Sequence, residues 1–325
     1  MPENAMSRSE ASAGLPVVVR ANDLGQSVHS VLDGRRGQIE AALTSCGGVL
    51  FRGFALDAPN AFHDFATAFG DALLTYDFAS TPRSHVGDRI YTSTEYPASQ
   101  HIPLHNEQSY TRDWPMRIWF HCVIPADAGG ATPIADSRRI YNDIPEPIRD
   151  AFQNRQVMYV RNYGNGLDLP WETVFNTSHK DDVERYCRER DIVCEWKEDG
   201  TLRTRQIAQA VSRHPVTGEA VWFNQAHLFH VSSLVAPVRE ALLDAVAEED
   251  LPRNAYYGDG SCIEEDVLDR IRAVIARATV TFDWQTNDVL MLDNMLTAHG
   301  RAPFKGQRKV LVAMAKPHGE LALPQ

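Results

Sequence analysis

Four apolar runs constrain this chain more than any other feature: GVLFRGF at 48–54, MRIWFHCVIPA at 116–126, VLMLDN at 289–294 and KVLVAMAKP at 309–317. Each is a short apolar run, so each reads as a strand. Two precede and two follow a long mixed stretch. In that stretch the spacing predicts helices over 138–154, 180–190 (behind Thr177 and Ser178 as cap candidates), 237–249 and 263–277, and extended backbone over 156–163 and 220–232. Earlier, a helix is expected at 36–45, closed by the CGG of 46–48, another within 58–73, and a strand in RIYTSTEYP at 89–97. The strand ending in VLMLDN is expected to begin at 279 and run to 294. Strands early and late with a mixed insertion predict a mixed α+β protein, a β-sandwich or jelly roll decorated by helices. The organisation expected is a disordered leader at 1–16 and a single domain over 17–325, with the insertion at about 138–278.

Charge narrows the partners. The net charge is −11, with no block of Lys or Arg, so no nucleic-acid surface and no anionic membrane is expected as the main partner. No apolar run reaches the length of a membrane span and the first residues lack a signal-peptide core, which points to a cytoplasmic protein. The five cysteines form no C-x-x-C pair, as expected of reduced thiols.

Within HIPLHNEQSYTRDWP at 101–115 stands His105-Asn106-Glu107. Twelve His and 43 acidic residues give roughly 1.6 such H-x-[DE] matches by chance, and three occur, so context must separate them. His179-Lys180-Asp181 falls at an expected helix start, where the acid suits the positive end of the dipole. His318-Gly319-Glu320 lies among the last eight residues. His105 and Glu107 lie between two expected strands, and in extended backbone residues i and i+2 project to one side, so they can share a metal ion. Two His and one carboxylate, with open positions left over, is the ligand set of non-haem Fe(II) oxygenases. The third ligand has a candidate in DNMLTAHGRAPFKGQRKVLVAM at 293–314: a turn after the buried strand carries His299, and Arg308 opens the next strand. A dicarboxylate chelating iron at one end needs such a cation at the other.

LHNEQSY, GGATPIADSRRIY, RHPVTGEAVWFNQAHLFH and the 293–314 segment together resemble the TauD/TfdA superfamily of Fe(II)/2-oxoglutarate dioxygenases, in the branch of syringomycin-type aspartyl hydroxylases and clavaminate synthase. The resemblance covers about residues 40–317 and implies a double-stranded β-helix (jelly-roll) core with helical insertions and flanking helices. It implies His105, Glu107 and His299 as the iron triad, and Thr132 and Arg308 as anchors of the cosubstrate 2-oxoglutarate, with O2 as the second cosubstrate. Lys309 adjoins Arg308 and competes for that role; the bidentate fork of arginine favours Arg308.

The expected reaction is hydroxylation, or another oxidation, of an unactivated C–H bond, with 2-oxoglutarate leaving as succinate and CO2. The branch implies an amino acid or amino-acid-derived substrate in secondary metabolism, free or tethered to a peptidyl carrier protein. Asn224, Gln225 and His227 in WFNQAHLFH are candidates to touch it, against a reading in which the aromatics of that motif simply line the core. Arg161 in VRNYG is a candidate for a substrate carboxylate, with a surface ion pair as the alternative. The loops near 75–100 and 162–180 are candidate rims or lids. Two other classes compete: a non-catalytic jelly-roll binding protein, which leaves the triad and anchors unexplained, and a metal-dependent hydrolase, which has no need of Thr132 and Arg308.

Overall fold

The computed structural model describes residues 6–8, 14–23, 26–58, 60–75, 84–93, 96–164 and 168–319, with the side chains of 6–8 set aside. Its main sheet has eight strands in the order β1 (Met6–Arg8), β2 (Val17–Arg20), β3 (Gly48–Arg52), β16 (Val289–Asp293), β7 (Asp113–Ile124), β19 (Lys309–Gly319), β5 (Ile90–Thr92) and β4 (His85–Gly87). The four apolar runs are therefore the adjacent centre of one sheet, β3–β16–β7–β19, antiparallel throughout.

Their continuous hydrophobicity follows from what covers each face. Val49, Phe51, Trp119, Val289, Met291 and Ala313 point to one side, where they pack with Ile39 and Leu43 of the helix Val28–Cys46 and with Phe62 and Phe65 of the helix Ala61–Thr67. The alternate residues, Leu50, Ile118, Phe120, Leu290, Leu292 and Val312, point to the other side and meet Ile134 of a second, three-stranded sheet. That sheet is β6 (Ile102–His105), β17 (Thr297–Arg301) and β9 (Ile134–Asp136), and the two sheets face each other as the jelly roll. Each of the Val, Leu, Ile, Phe and Met side chains among them contributes roughly 1.5–3 kcal/mol by leaving water. Gly47 ends the first helix at φ 85, and a Cβ there would meet Thr297 Oγ1 at 2.2 Å, so glycine lets the helix end sit against β17.

Between β9 and β16 lies a third sheet, β11 (Val193–Trp196), β12 (Leu202–Ala208), β10 (Val157–Tyr163) and β15 (Arg253–Tyr257). Its buried residues share a core with the helices Ser137–Asp143, Lys180–Glu189 and Glu265–Ala278. Two hairpins complete the strands: β13 (Val211–Arg213) with β14 (Ala220–Trp222), and β8 (Ala128–Gly129) with β18 (Phe304–Lys305).

Several expectations need correction. The helix expected at 138–154 is two, Ser137–Asp143 and Glu146–Arg155, because Pro145 lacks an N–H and bars the helical conformation from Ile144 before it. The strand expected over 220–232 stops at Trp222; Asn224 Oδ1 accepts the Ala226 N–H and turns the chain into the short helix Ala226–Phe229. Of the strand expected from 279, only Val280 pairs, with Ile134, before β16 begins at Val289. Residues 6–8 of the expected disordered leader pair with β2, and Leu15 is buried; 1–5 and 9–13 lie outside the described residues. So do 94–95 of RIYTSTEYP and 76–83 and 165–167 of the candidate lids. His179 takes the N-cap position of the helix Lys180–Glu189, while Thr177 Oγ1 accepts the His179 N–H. No helix among the described residues is long and apolar enough to cross a membrane.

Candidate active site

His105 closes β6 and His299 lies directly opposite it in β17, their ring centroids 4.7 Å apart. His299 is thus a strand residue, where a turn was expected. Gly300 beside it lets the strands close up, since a Cβ there would lie 2.5 Å from the Ile102 carbonyl oxygen. Glu107 stands in the turn after β6, buried, with its Oε2 3.9 Å from His299 Nε2. One ligand atom each from His105, Glu107 and His299 lies within 4.8 Å of the others.

The neighbouring backbone selects the form of His105 that a metal requires. Its Nδ1 lies 2.9 Å from the Pro103 carbonyl oxygen, which can only accept, so Nδ1 carries the proton and Nε2 keeps its lone pair. Two imidazoles and one carboxylate converging from one side fit Fe(II) with positions left open.

The expected convergence of His105 and Glu107 through strand alternation is replaced by a turn that other side chains hold. Asn294 Oδ1 accepts the Glu107 N–H at 2.7 Å, and its Nδ2 donates to the carbonyls of Glu107 and Pro115 at 2.9 and 2.8 Å. Asn106 Nδ2 donates to the Asn294 carbonyl at 2.6 Å. The next turn is fixed in the same manner: His214 Nδ1 accepts the Thr217 N–H, its Nε2 lies 3.0 Å from Asp293 Oδ2, and Asp293 Oδ1 accepts the N–H groups of Met295 and Leu296. Sequence reasoning missed Asn106, His214, Asp293 and Asn294 as supports. The available signal was a side-by-side Asp-Asn at the end of a buried strand, just ahead of His299.

A cavity is lined by the two histidines, Thr132 and Arg308, with Phe120 and Val312 on its walls. Arg308 Nε donates to the Gly130 carbonyl at 2.9 Å, and its Nη2 lies 3.4 Å from Thr132 Oγ1. No carboxylate among the described residues pairs with it. Burial, and then the nearby Arg301, push its pKa down to about 10. Such a cation calls for an anion. Thr132 Oγ1 also accepts the indole N–H of Trp284 at 3.0 Å, which leaves its own proton to donate elsewhere. Lys309 is exposed, so of the two adjacent cations Arg308 faces inward.

The four substrate candidates do not line this cavity. Asn224 Nδ2 donates to the Ala210 carbonyl, Gln225 Nε2 to the Asn106 carbonyl, and His227 Nε2 lies 3.0 Å from the Leu104 carbonyl. Gln225 and His227 thereby brace the chain on either side of His105, and desolvation lowers the His227 pKa to about 4, keeping the ring neutral. Arg161, with a side chain only 3% exposed, pairs with Asp168, which also receives Arg253 at 2.6 Å. Its ion pair is thus buried, where a surface pair was the alternative expected.

Comparison with known proteins gives a consistent result. Residues 13–314 match the family model described as taurine catabolism dioxygenase TauD, TfdA family. The chain is 43% identical over 279 residues to the dapdiamide synthesis protein DdaC of Enterobacter agglomerans, covering 86% of this chain and 85% of that one. It is 30% identical over 289 residues to a clavaminate synthase-like protein of Arabidopsis thaliana, covering 86% and 84%. Among solved structures, PvcB from Pseudomonas aeruginosa superposes with a TM-score of 0.54 at 16% identity, over 94% of this chain and 87% of that one, a likeness of fold.

Proposed function

From the premise that the chain belongs to the TauD/TfdA family of dioxygenases, we propose that His105, Glu107 and His299 hold its Fe(II) and that Thr132 and Arg308 hold the distal carboxylate of its 2-oxoglutarate. The protein is an Fe(II)/2-oxoglutarate-dependent oxygenase. When bound, iron with 2-oxoglutarate and O2 supplies the oxidant for a C–H bond. The protein's part is placement. The Pro103 carbonyl keeps the His105 lone pair turned to the metal, and Asn294 fixes the turn that carries Glu107. The Thr132 hydroxyl and the Arg308 guanidinium set the far end of a dicarboxylate, while Phe120 and Val312 keep water from its sides.

The observation that carries this reading is the pairing of His105 with His299 on a cavity that is also lined by Arg308, a half-buried arginine without a carboxylate partner among the described residues. A hydrolase reading leaves that arginine and Thr132 without a role, and a purely binding protein leaves the triad without one.

The substrate is read as an amino acid or amino-acid-derived group oxidised in a biosynthetic pathway, free or carried on a peptidyl carrier protein. Similarity to a protein named for dapdiamide synthesis supports a biosynthetic setting. The test incubates the enzyme, Fe(II), 2-oxoglutarate and ascorbate with free amino acids and with the same residues loaded on a carrier domain. Mass spectrometry should find a product heavier by one oxygen atom in one of the two sets. Turnover confined to a sulfonate or an aryloxyacetate would overturn the substrate class and leave the iron chemistry standing.

A further inference from the structure

Arg308 is not the only arginine at the cavity. Arg301, two residues past His299 at the end of β17, also lines it and is 6% exposed. Its Nη1 donates to the Tyr96 carbonyl at 2.9 Å, and its Nη2 to the carbonyls of Pro97 and Gln100 at 2.7 and 2.9 Å. Its buried Nε–H has no acceptor among the described residues. No carboxylate pairs with Arg301 among the described residues either, and the Phe304 ring lies 5.2 Å from this guanidinium and 5.7 Å from that of Arg308. Two like charges therefore share one cavity, balanced on the Arg301 side only by the dipoles of three carbonyls from one short segment.

We propose that Arg301 is a second anion-binding side chain of the cavity, and that through it a bound dicarboxylate tightens the segment Tyr96–Gln100. The inference rests on the reading of the cavity as the 2-oxoglutarate site. A dianion relieves the repulsion between the two guanidiniums and offers Nε–H an acceptor. Holding Arg301 in place holds its three carbonyl partners with it, and by linkage a segment already held favours the dianion. Two backbone bonds report on the segment: Gln100 N–H to the Pro97 carbonyl at 3.0 Å and Phe304 N–H to the Ala98 carbonyl at 2.9 Å.

The experiment is amide hydrogen exchange by mass spectrometry on the Mn(II)-loaded protein with and without N-oxalylglycine, an inert dicarboxylate, with affinity measured by calorimetry. In the wild type, exchange at Gln100 and Phe304 should slow on binding. Arg301→Gln removes the charge and should weaken binding roughly tenfold or more. Arg301→Lys keeps the charge and loses the three-carbonyl fork, so it should keep more of the affinity and lose the protection at Gln100 and Phe304. Binding that leaves exchange unchanged in the wild type, or equal affinity in Arg301→Gln, overturns the proposal while the cavity reading stands. No binding by the wild type overturns both. The wild-type exchange measurement decides the matter even if a variant fails to fold.

Discussion

Asn294 brackets the main chain of Glu107, accepting its N–H through Oδ1 and donating to its carbonyl through Nδ2. Glu107 is thereby tied to a side chain from the turn that leads to His299, which links the segments that carry these two residues. Replacing Asn294 by Ala strands the buried N–H and carbonyl of Glu107 and the carbonyl of Pro115, each worth about 1–3 kcal/mol when unpaired. Urea denaturation should show a loss of at least about 2 kcal/mol, and Fe(II) affinity should fall about 10–100-fold, as for other supports of metal ligands. Asn294→Asp keeps the acceptor and loses the donor, so it should also weaken Fe(II) binding; unchanged affinity in both variants would remove Asn294 from this role.

Arg308→Ala should raise the 2-oxoglutarate concentration needed for half-maximal succinate formation by orders of magnitude, because removing one side of a buried ion pair costs about 3–5 kcal/mol. Lys309→Ala, at an exposed position, should leave it unchanged. The reverse pattern would exchange the roles of the two residues.

His227 makes folding pH-dependent. Desolvation lowers its folded pKa from 6.5 to about 4, so between those values the unfolded chain binds the extra proton. Its contribution is present above pH 6.5 and is lost as pH falls toward 4. For a shift of this size the loss is on the order of 3 kcal/mol. His227→Gln can still donate to the Leu104 carbonyl, and should reduce the slope of stability against pH in this window, read by urea denaturation of the metal-free protein at several pH values. An unaltered slope would contradict the assignment.

Much of this was legible in the sequence, for identifiable reasons. The runs at 48–54, 116–126, 289–294 and 309–317 read as strands; their apolar continuity has its cause in the fold, where helices cover one face of their sheet and the sheet that holds β9 the other. His105, Glu107 and His299 could be grouped from sequence because their residue types suit one metal, and the fold brings a ligand atom of each within 4.8 Å of the others; Thr132 and Arg308 line the same cavity as the two histidines. The partners of Asn224, Gln225 and His227 were not legible, because a polar side chain near an aromatic motif looks the same whether it faces a ligand or a backbone carbonyl. Only the fold shows that the Ala210, Asn106 and Leu104 carbonyls take them up. The turn at Glu107 was missed for a related reason: its support comes from Asn294, far away in sequence, and local spacing carries no trace of it.

The most direct test of the triad is an anaerobic Fe(II) titration of wild type and His299→Ala with 2-oxoglutarate present, followed by admission of air and assay of succinate. The wild type should bind one equivalent of iron and form succinate. His299→Ala should retain no iron and form none, while its circular dichroism stays that of the wild type. Full iron retention and full succinate formation by His299→Ala would contradict the assignment of His105, Glu107 and His299 as the iron site.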